Sequence, residues 1–120
     1  MAQTQRQALS AYTAIRDMGR KATGKAAFSL FRMKQRLKEI VEFQSEEELK
    51  LVEKFGGKVT EGGQILIADE EKKLQFLKEH RAFYDMVLDP PLETVTIRAE
   101  DLPEISLDEI EALDGFVIFE

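Results

Sequence analysis

The chain has 120 residues, of which 43% are hydrophobic and 33% charged, and its formal net charge is −6. This length fits one domain, and the composition is that of a folded globular protein rather than a disordered one. The absence of cysteine excludes a disulfide framework, a thiolate nucleophile and a cysteine-based zinc site. Because no apolar run approaches the ~20 residues of a membrane span and the N-terminus has no apolar signal region, we expect no membrane contact and a cytoplasmic location or a particle assembled there.

The charge is divided between the two ends of the chain. Residues 1–40 carry nine Lys or Arg against two acidic residues, a balance of +7, whereas residues 41–120 carry eight against twenty-one, a balance of −13. The two parts are expected to neutralise each other by folding together. Alternatively, each part faces a partner of opposite charge.

Residues 5–18 are predicted to form a short amphipathic helix. Leu9, Tyr12 and Ile15 recur at a spacing that places side chains on one helix face. A glycine-containing turn then leads to the longest segment without proline or glycine, residues 25–55.

The segment 25–55 is predicted to be a long helix along which the other elements pack. Its apolar residues recur at helical spacing: Leu30, Met33, Leu37, Ile40, Val41, Leu49, Leu51, Val52 and Phe55. Near its middle, Ser45 and Glu48 match a capping box that would begin a new helix, whereas the good helix formers around them favour continuation. We favour one helix of about 45 Å, at 1.5 Å per residue, with a break or bend near Ser45 as the alternative.

Two further elements follow the long helix. Glycines within residues 58–67 supply the backbone freedom that a tight turn requires, so this segment is predicted to be a small β-hairpin. Residues 69–88 are predicted to form a helix that begins at Asp69 and packs antiparallel to the long helix. Asp89 and the prolines after it would end that helix.

The last thirty residues are predicted to form a short mixed segment. Residues 94–119 contain an alternating strand pattern, then Ser106 and Glu109 as the capping box of a short helix, then a terminal apolar strand. The predicted fold class is therefore α+β and mainly α, a single domain over residues 1–120. It consists of an antiparallel helical hairpin with a small β-hairpin at its tip and the mixed C-terminal segment packed back along it.

No motif predicts an active site, a cofactor or a metal ion. Gly19–Ala26 matches most of a phosphate-binding loop but has Ala26 where the magnesium-binding hydroxyl belongs, and no buried strand precedes it. His80 is the single histidine, and its apolar neighbours favour a packing role over catalysis. The many carboxylates show neither the spacing of an acid–base pair nor that of a calcium loop.

A basic cluster spans residues 16–38. Clustered cations bind phosphates, but these residues spread over more than one helix face and the whole protein is acidic, which disfavours nucleic acid as a partner. Pairing with the acidic C-terminal segment or with an acidic protein is the preferred interpretation. The acidic segment is also compatible with mimicry of a nucleic-acid backbone.

The order of the parts resembles a known family. A basic turn (RKATGKA) precedes a long charged helix, followed by a glycine-containing hairpin (GGKVTEGGQILI), an acidic-start helix (DEEKKLQFLKEHRAFYDMV) and the ending DLPEISLDEIEALDGFVI. This arrangement resembles small proteins of unknown function encoded by tailed phages and prophages of bacteria, often among structural genes. The resemblance implies a setting, in a bacterial host cell or a virion, and it assigns no residue a role.

The leading hypothesis is a non-enzymatic protein-binding module that acts in virion assembly or as a structural component. It has more apolar positions than one partner helix would cover, and the candidate interface residues are Phe28, Phe31, Lys34, Arg36, Phe43, Glu104, Glu109 and Phe116. The alternative is an inhibitor or regulator of a host defence or DNA-handling protein, engaged through the acidic C-terminal segment. Deleting residues 100–120 is then expected to abolish binding and leave the helical core folded.

The long helix also predicts self-association. Its first half is basic and its second half acidic, so an antiparallel copy would bring unlike charges together. On this hypothesis, Lys34→Glu combined with Arg36→Glu would weaken the pair.

Overall fold

Four helices and two pairs of short strands make up residues 3–18 and 21–120, which the computed structural model describes. In chain order they are α1 (Gln5–Asp17), α2 (Gly24–Lys54), β1 (Lys58–Val59), β2 (Ile65–Leu66), α3 (Glu70–Tyr84), β3 (Val95–Ile97), α4 (Leu107–Leu113) and β4 (Val117–Phe119). A 3-10 turn over Ala99–Asp101 precedes α4. The protein is α+β and mainly helical, as the sequence predicts.

The helix α2 is continuous, which settles the alternative at Ser45. Its 31 residues end at a glycine pair, where the Gly57 amide donates to the Val52 carbonyl oxygen at 2.8 Å and the Gly56 amide donates to that of Glu53 at 3.1 Å. Gly56 has a φ of +68°, so this is the two-bond Schellman ending that favours glycine. A Cβ on Gly57 would lie 2.8 Å from the Ile67 side chain, so glycine is required there as well.

The main apolar cluster lies against the first half of α2. Leu30, Met33 and Leu37 pack with α1 and with the C-terminal part of the chain. The other buried members of this cluster are Ala8, Ala11, Ile15, Met18, Ala26, Leu88, Ile97, Leu102, Leu113, Phe116 and Val117. Because both ends of the chain contribute, the first half of α2 is fixed by contacts distant in sequence.

A second, smaller cluster lies at the far end of α2. This distal cluster consists of Val52, Phe55 and Phe76, with Leu51, Ile65 and Ile67 at its edge. Successive contacts join Phe43 to Phe83, Glu48 to His80, and Phe55 to Phe76, so α3 runs back along the second half of α2. The radius of gyration is 16.7 Å, against about 14 Å for a compact chain of this length, and this elongation follows from the two-cluster arrangement.

The two strand pairs differ in direction. Strands β1 and β2 pair antiparallel, with Val59 opposite Ile65, and rest against the distal cluster. Strands β3 and β4 pair in parallel, with Val95 opposite Val117. In the second pair, alternation turns Val95, Ile97, Val117 and Phe119 toward the main cluster, whereas Thr96 and Ile118 are exposed.

Gln3 joins the two ends of the chain through buried hydrogen bonds. Its Nε2 donates to the Leu92 carbonyl oxygen at 3.1 Å and to that of Gly115 at 2.7 Å, and its Oε1 accepts from the Leu92 amide at 2.7 Å. The Leu88 amide donates to the Gln3 carbonyl oxygen at 2.8 Å. The amide side chain thereby satisfies backbone groups that would otherwise be buried without partners.

Gln44 has a corresponding role at the middle of α2. It is buried, and its Nε2 donates to the Gln5 carbonyl oxygen at 2.8 Å and to Gln5 Oε1 at 2.9 Å. This bond ties the start of α1 to α2 at the point where the main cluster gives way to the contacts of α3.

The predicted end of α3 at residue 88 is wrong. The helix ends at Tyr84, and Val87 instead pairs with Thr4 in an isolated antiparallel bridge. The Leu88 side chain belongs to the main cluster, and a helical path would not provide these contacts with the N-terminal segment. Of the loop-like segment Gly19–Ala26, residues 19 and 20 lie outside the described residues, and α2 begins at Gly24.

Gln3→Ala is expected to lower the free energy of unfolding by roughly 2–4 kcal/mol, because backbone groups of Leu92 and Gly115 lose their partners in a buried site. Chemical denaturation followed by circular dichroism measures this loss. Gln35→Ala is the matched control, since Gln35 is an exposed glutamine on α2 and its truncation should change stability by less than about 0.5 kcal/mol. Equal effects of the two substitutions would contradict the assigned role of Gln3.

Candidate functional site

One face of α2 is exposed along the whole helix. We call this the outer face of α2, and its exposed residues are Lys25, Phe28, Phe31, Arg32, Gln35, Lys38, Glu39, Glu42, Phe43, Glu46, Leu49, Lys50 and Glu53. They recur at steps of three and four residues, which place side chains on one side of a helix. The opposite side of the same helix supplies both apolar clusters. The outer face is therefore largely uncovered, apart from the contact of Phe43 with Phe83 of α3, while packing on the opposite side fixes the backbone of α2.

Two phenylalanine rings project from the first half of the outer face. Phe28 is 61% exposed and Phe31 is 55% exposed. The Arg32 guanidinium carbon lies 5.1 Å from the centroid of the Phe28 ring, a distance typical of a cation–π contact. Exposed aromatic side chains beside an arginine are a composition enriched at protein–protein interfaces.

The second half of the outer face carries fewer apolar groups and the opposite charge. Leu49 is 51% exposed. Phe43 is 48% exposed, but its ring centroid lies 6.2 Å from that of Phe83, so it partly packs on α3. Around them the exposed charges are Glu39, Glu42, Glu46, Lys50 and Glu53, whereas the first half carries Lys25, Arg32 and Lys38.

Two candidate interface residues, Lys34 and Arg36, do not lie on the outer face. Arg36 donates from Nη1 to the Glu93 carbonyl oxygen at 3.1 Å, which ties it to the segment before β3. Lys34 is half-buried and lines a groove with Ile15 and Phe31. Their role at an interface stays a prediction. The basic residues of the outer face include Arg32 and Lys38, which helical spacing from Phe28 and Phe31 could have identified.

The candidates in the C-terminal segment separate into three environments. Phe116 is 0% exposed and belongs to the main cluster, so its prediction as an interface residue is wrong. Glu109 is engaged within the fold, because it accepts from Lys21 Nζ at 2.8 Å. Glu104 is exposed.

An acidic surface covers the C-terminal segment. Its exposed carboxylates are Glu93, Glu100, Asp101, Glu104, Asp108, Glu111, Asp114 and Glu120. Arg98 pairs with Glu100 at 2.9 Å, and Arg36 Nη2 lies 4.0 Å from Glu93 Oε2. The pairing of the basic and acidic parts of the chain is therefore partial, and most of these carboxylates face solvent.

A cluster of polar and aromatic side chains joins α2 to α3. His80 Nε2 lies 2.9 Å from Glu48 Oε2, and the His80 ring lies between those of Phe76 and Tyr84, at 5.3 Å and 4.8 Å. Burial raises the pKa of the Tyr84 phenol above its ordinary value of 10.0; Glu48 also raises it, and Arg6 acts in the opposite direction. These groups sit within the packing of two helices, an arrangement that favours a structural role for His80.

Over residues 3–18 and 21–120, no group of three or more His, Asp or Glu side chains has an arrangement that would hold a metal ion. Within the same ranges, no helix is both long enough and apolar enough to cross a membrane. Comparisons with protein-family models, with curated proteins and with solved structures find no match for this chain.

The contact between Lys21 Nζ and Glu109 Oε1, at 2.8 Å, links α4 to the segment before α2, and we expect it to make the stability of the fold depend on pH. The hydrogen bond from Lys21 and that from the Ser106 amide lower the pKa of Glu109 below its ordinary value of 4.5. A carboxyl group with a lowered pKa stabilises the fold fully above the unfolded-state value, and this contribution disappears as the pH falls through the folded-state value.

We therefore expect Glu109→Gln to reduce stability at neutral pH and to lessen the additional loss that acidification below about pH 4.5 produces. Thermal unfolding between about pH 6 and about pH 3 measures this difference. Glu111→Gln, an exposed residue of the same helix, serves as the control and should leave the pH profile unchanged. Parallel profiles for the wild type and Glu109→Gln would show that the pair contributes nothing.

Proposed function

We propose that the chain is a non-enzymatic protein-binding module, encoded by a tailed phage or prophage, that acts in virion assembly or as a structural component. The observation that carries this proposal is the exposure of Phe28 and Phe31 on the outer face of α2. The phage setting rests on the resemblance of the sequence alone.

The position of the aromatic pair supports binding rather than chance exposure. A partner that covers these rings removes apolar surface from water, and buried aromatic anchors commonly provide most of the energy of an interface. Since the other side of α2 is held by Leu30, Met33 and Leu37 in the main cluster, the rings are presented on a preorganised element. Little conformational entropy is then lost when the partner binds.

The elongated shape supports the same proposal. We infer that α2 and α3 act as an antiparallel helical hairpin with the β1–β2 hairpin at its tip. This arrangement presents the outer face over most of the longest dimension of the molecule, 51 Å. An elongated binding surface of this length is suited to a protein that connects other components of an assembly.

Phe28→Ser combined with Phe31→Ser is expected to abolish partner binding and to leave the fold intact, because both rings are mostly exposed and such surface changes usually alter stability little. The photo-reactive residue p-benzoylphenylalanine placed at Gln35, on the same face, should form a covalent adduct with the partner in cells that express the chain from its own gene. The double substitution should reduce the adduct yield at least about tenfold, the loss expected when an interface anchor is removed.

The matched control places the same photo-reactive residue at Lys73, an exposed position on α3. We expect no specific adduct from this position. An absent adduct at position 35, or one that the serine substitutions leave unchanged, would contradict binding through the outer face.

A second candidate function is the inhibition or regulation of a host defence or DNA-handling protein through the acidic surface of the C-terminal segment. The exposure of Glu104, Asp108 and Glu111 favours it, because a dense array of carboxylates attracts basic binding sites. Deletion of residues 100–120 does not test this candidate, since Leu113 and Phe116 lie in the main cluster and their loss would unfold the protein.

The suitable variant reverses the charge at Glu104, Asp108 and Glu111 by substitution with lysine. On the second candidate function, this variant stays folded and loses at least about tenfold in affinity for a basic DNA-binding protein, with a steep dependence on salt. Capture assays at two salt concentrations measure this effect. Equal capture by the variant and the wild type would exclude the acidic surface.

A further inference from the structure

The charges of the outer face are arranged with a polarity along the helix. Lys25, Arg32 and Lys38 are exposed in the first half, and Glu39, Glu42, Glu46 and Glu53 are exposed in the second. Two exposed cations oppose them there: Lys50 on the same face, and Lys54, whose Nζ lies 2.8 Å from Glu79 Oε1 of α3. Lys50 Nζ lies 3.1 Å from Glu47 Oε1 on the same helix, so its charge is partly offset locally. The change of sign falls between Lys38 and Glu39.

A surface with this polarity is complementary to itself when one copy is reversed. We propose that the outer face of α2 binds the outer face of a second copy of this chain in an antiparallel, two-fold pair. This inference rests on the proposed function, because it names the partner of the same surface. In a parallel pair, by contrast, like charges would lie opposite one another along the whole helix.

The apolar residues fix the register of the pair. With the two-fold axis between Lys38 and Glu39, Phe28 lies opposite Leu49 of the second copy. Phe31 lies one helical turn from the same Leu49, because residues three apart are neighbours on a helix surface. Each copy contributes one aromatic pair and one leucine, so two equivalent apolar contacts form at the two ends of the interface.

The same register brings unlike charges together between those contacts. Lys38 then lies opposite Glu39 of the second copy, and Arg32, which is opposite Ser45, lies one helical turn from Glu42 of the second copy. Gln35 lies opposite the same Glu42. The centre of the interface is thus polar and charge-matched, which sets the direction and register of the pair, and the apolar contacts at its ends supply the burial of apolar surface.

The fold leaves room for this arrangement. Helix α1, strand β3 and the distal cluster all lie against the other side of α2, through residues such as Leu30, Leu37 and Val52. A helix of 31 residues is about 46 Å long at 1.5 Å per residue. Two copies of α2 can therefore lie side by side at the ~8–10 Å spacing of packed helices over most of their length.

Charge-reversal variants test the antiparallel pair. One variant combines Arg32→Glu with Lys38→Glu and makes both halves of the outer face acidic; the other combines Glu42→Lys with Glu46→Lys and makes both halves basic. Sedimentation equilibrium of the purified full chain at low salt should give a dimer for the wild type and monomers for each variant alone, with self-association weakened at least tenfold. An equimolar mixture of the two variants should recover the dimer mass, because each acidic half then faces a basic half.

The matched control combines Lys72→Glu with Lys73→Glu on the exposed surface of α3. It changes the net charge by the same amount as Arg32→Glu with Lys38→Glu, and it should leave the dimer unchanged. A wild type that stays monomeric at millimolar concentration would overturn the inference, as would a dimer that both variants retain. All substituted positions are exposed, and circular dichroism verifies that each variant is folded. A mixture of folded variants that stays monomeric would therefore also overturn the inference.

The result also separates this inference from the proposed function. If the wild type is monomeric but a photo-reactive residue at Gln35 still forms an adduct with a different protein, the second copy is the wrong partner and the binding surface stands. If the wild type is monomeric and position 35 forms no adduct, the proposed function fails with it. An adduct of twice the chain mass that requires Phe28 and Phe31 supports both.

Discussion

The unbroken backbone of α2 is the constraint on which the rest of the structure depends. One helix of 31 residues supplies Leu30, Met33 and Leu37 to the main cluster and Val52 to the distal cluster. A small apolar cluster such as the distal one buries too little surface to offset the entropy of ordering its part of the chain. Because α2 is continuous, it connects the two clusters rigidly. The glycine pair at its end reverses the chain, so that β1, β2 and α3 pack against the distal end of the helix.

As a consequence of this arrangement, α2 is packed against the rest of the protein on one side only. Gln44, buried on the covered side of α2, ties this helix to Gln5, and Gln3 ties the N-terminal segment to Leu92 and Gly115. The outer face keeps Phe28 and Phe31 in water on a support whose geometry is already fixed. On our proposal, the buried side of α2 holds the fold together and the exposed side binds the partner.

Local patterns predicted local structure well. The capping box of Ser106 and Glu109 begins α4 as expected, and the helix formers around Ser45 do keep α2 continuous. The sequence could not predict the end of α3, because that end is set by the bridge between Val87 and Thr4. The parallel pairing of β3 with β4 was likewise not predictable from three-residue strands, whose short alternation carries no information on the partner strand.

At the candidate site, too, local patterns predict some features, and contacts distant in sequence decide the others. Phe28 and Phe31 were identified as surplus apolar positions, and both are exposed. The sequence places Phe116 in an apolar and acidic C-terminal segment, which predicts an interface. Its burial depends on contacts between the two ends of the chain, and no local pattern encodes those contacts. Lys34 and Arg36 were chosen for their charge, and the side of α2 on which each lies is decided by where Glu93 and α1 pack.

The central claim is that the outer face of α2 binds a second, reversed copy of itself, and an intermolecular distance tests it most directly. Because the chain has no cysteine, Glu53→Cys allows a single spin label at the exposed acidic end of α2, and pulsed electron resonance then measures the distance between labels in the two copies. The antiparallel register predicts one distance of roughly 40–45 Å, from the 1.5 Å rise per residue. A distance of about 10–15 Å, the spacing of neighbouring helices in parallel, or the absence of any intermolecular coupling, would contradict the account.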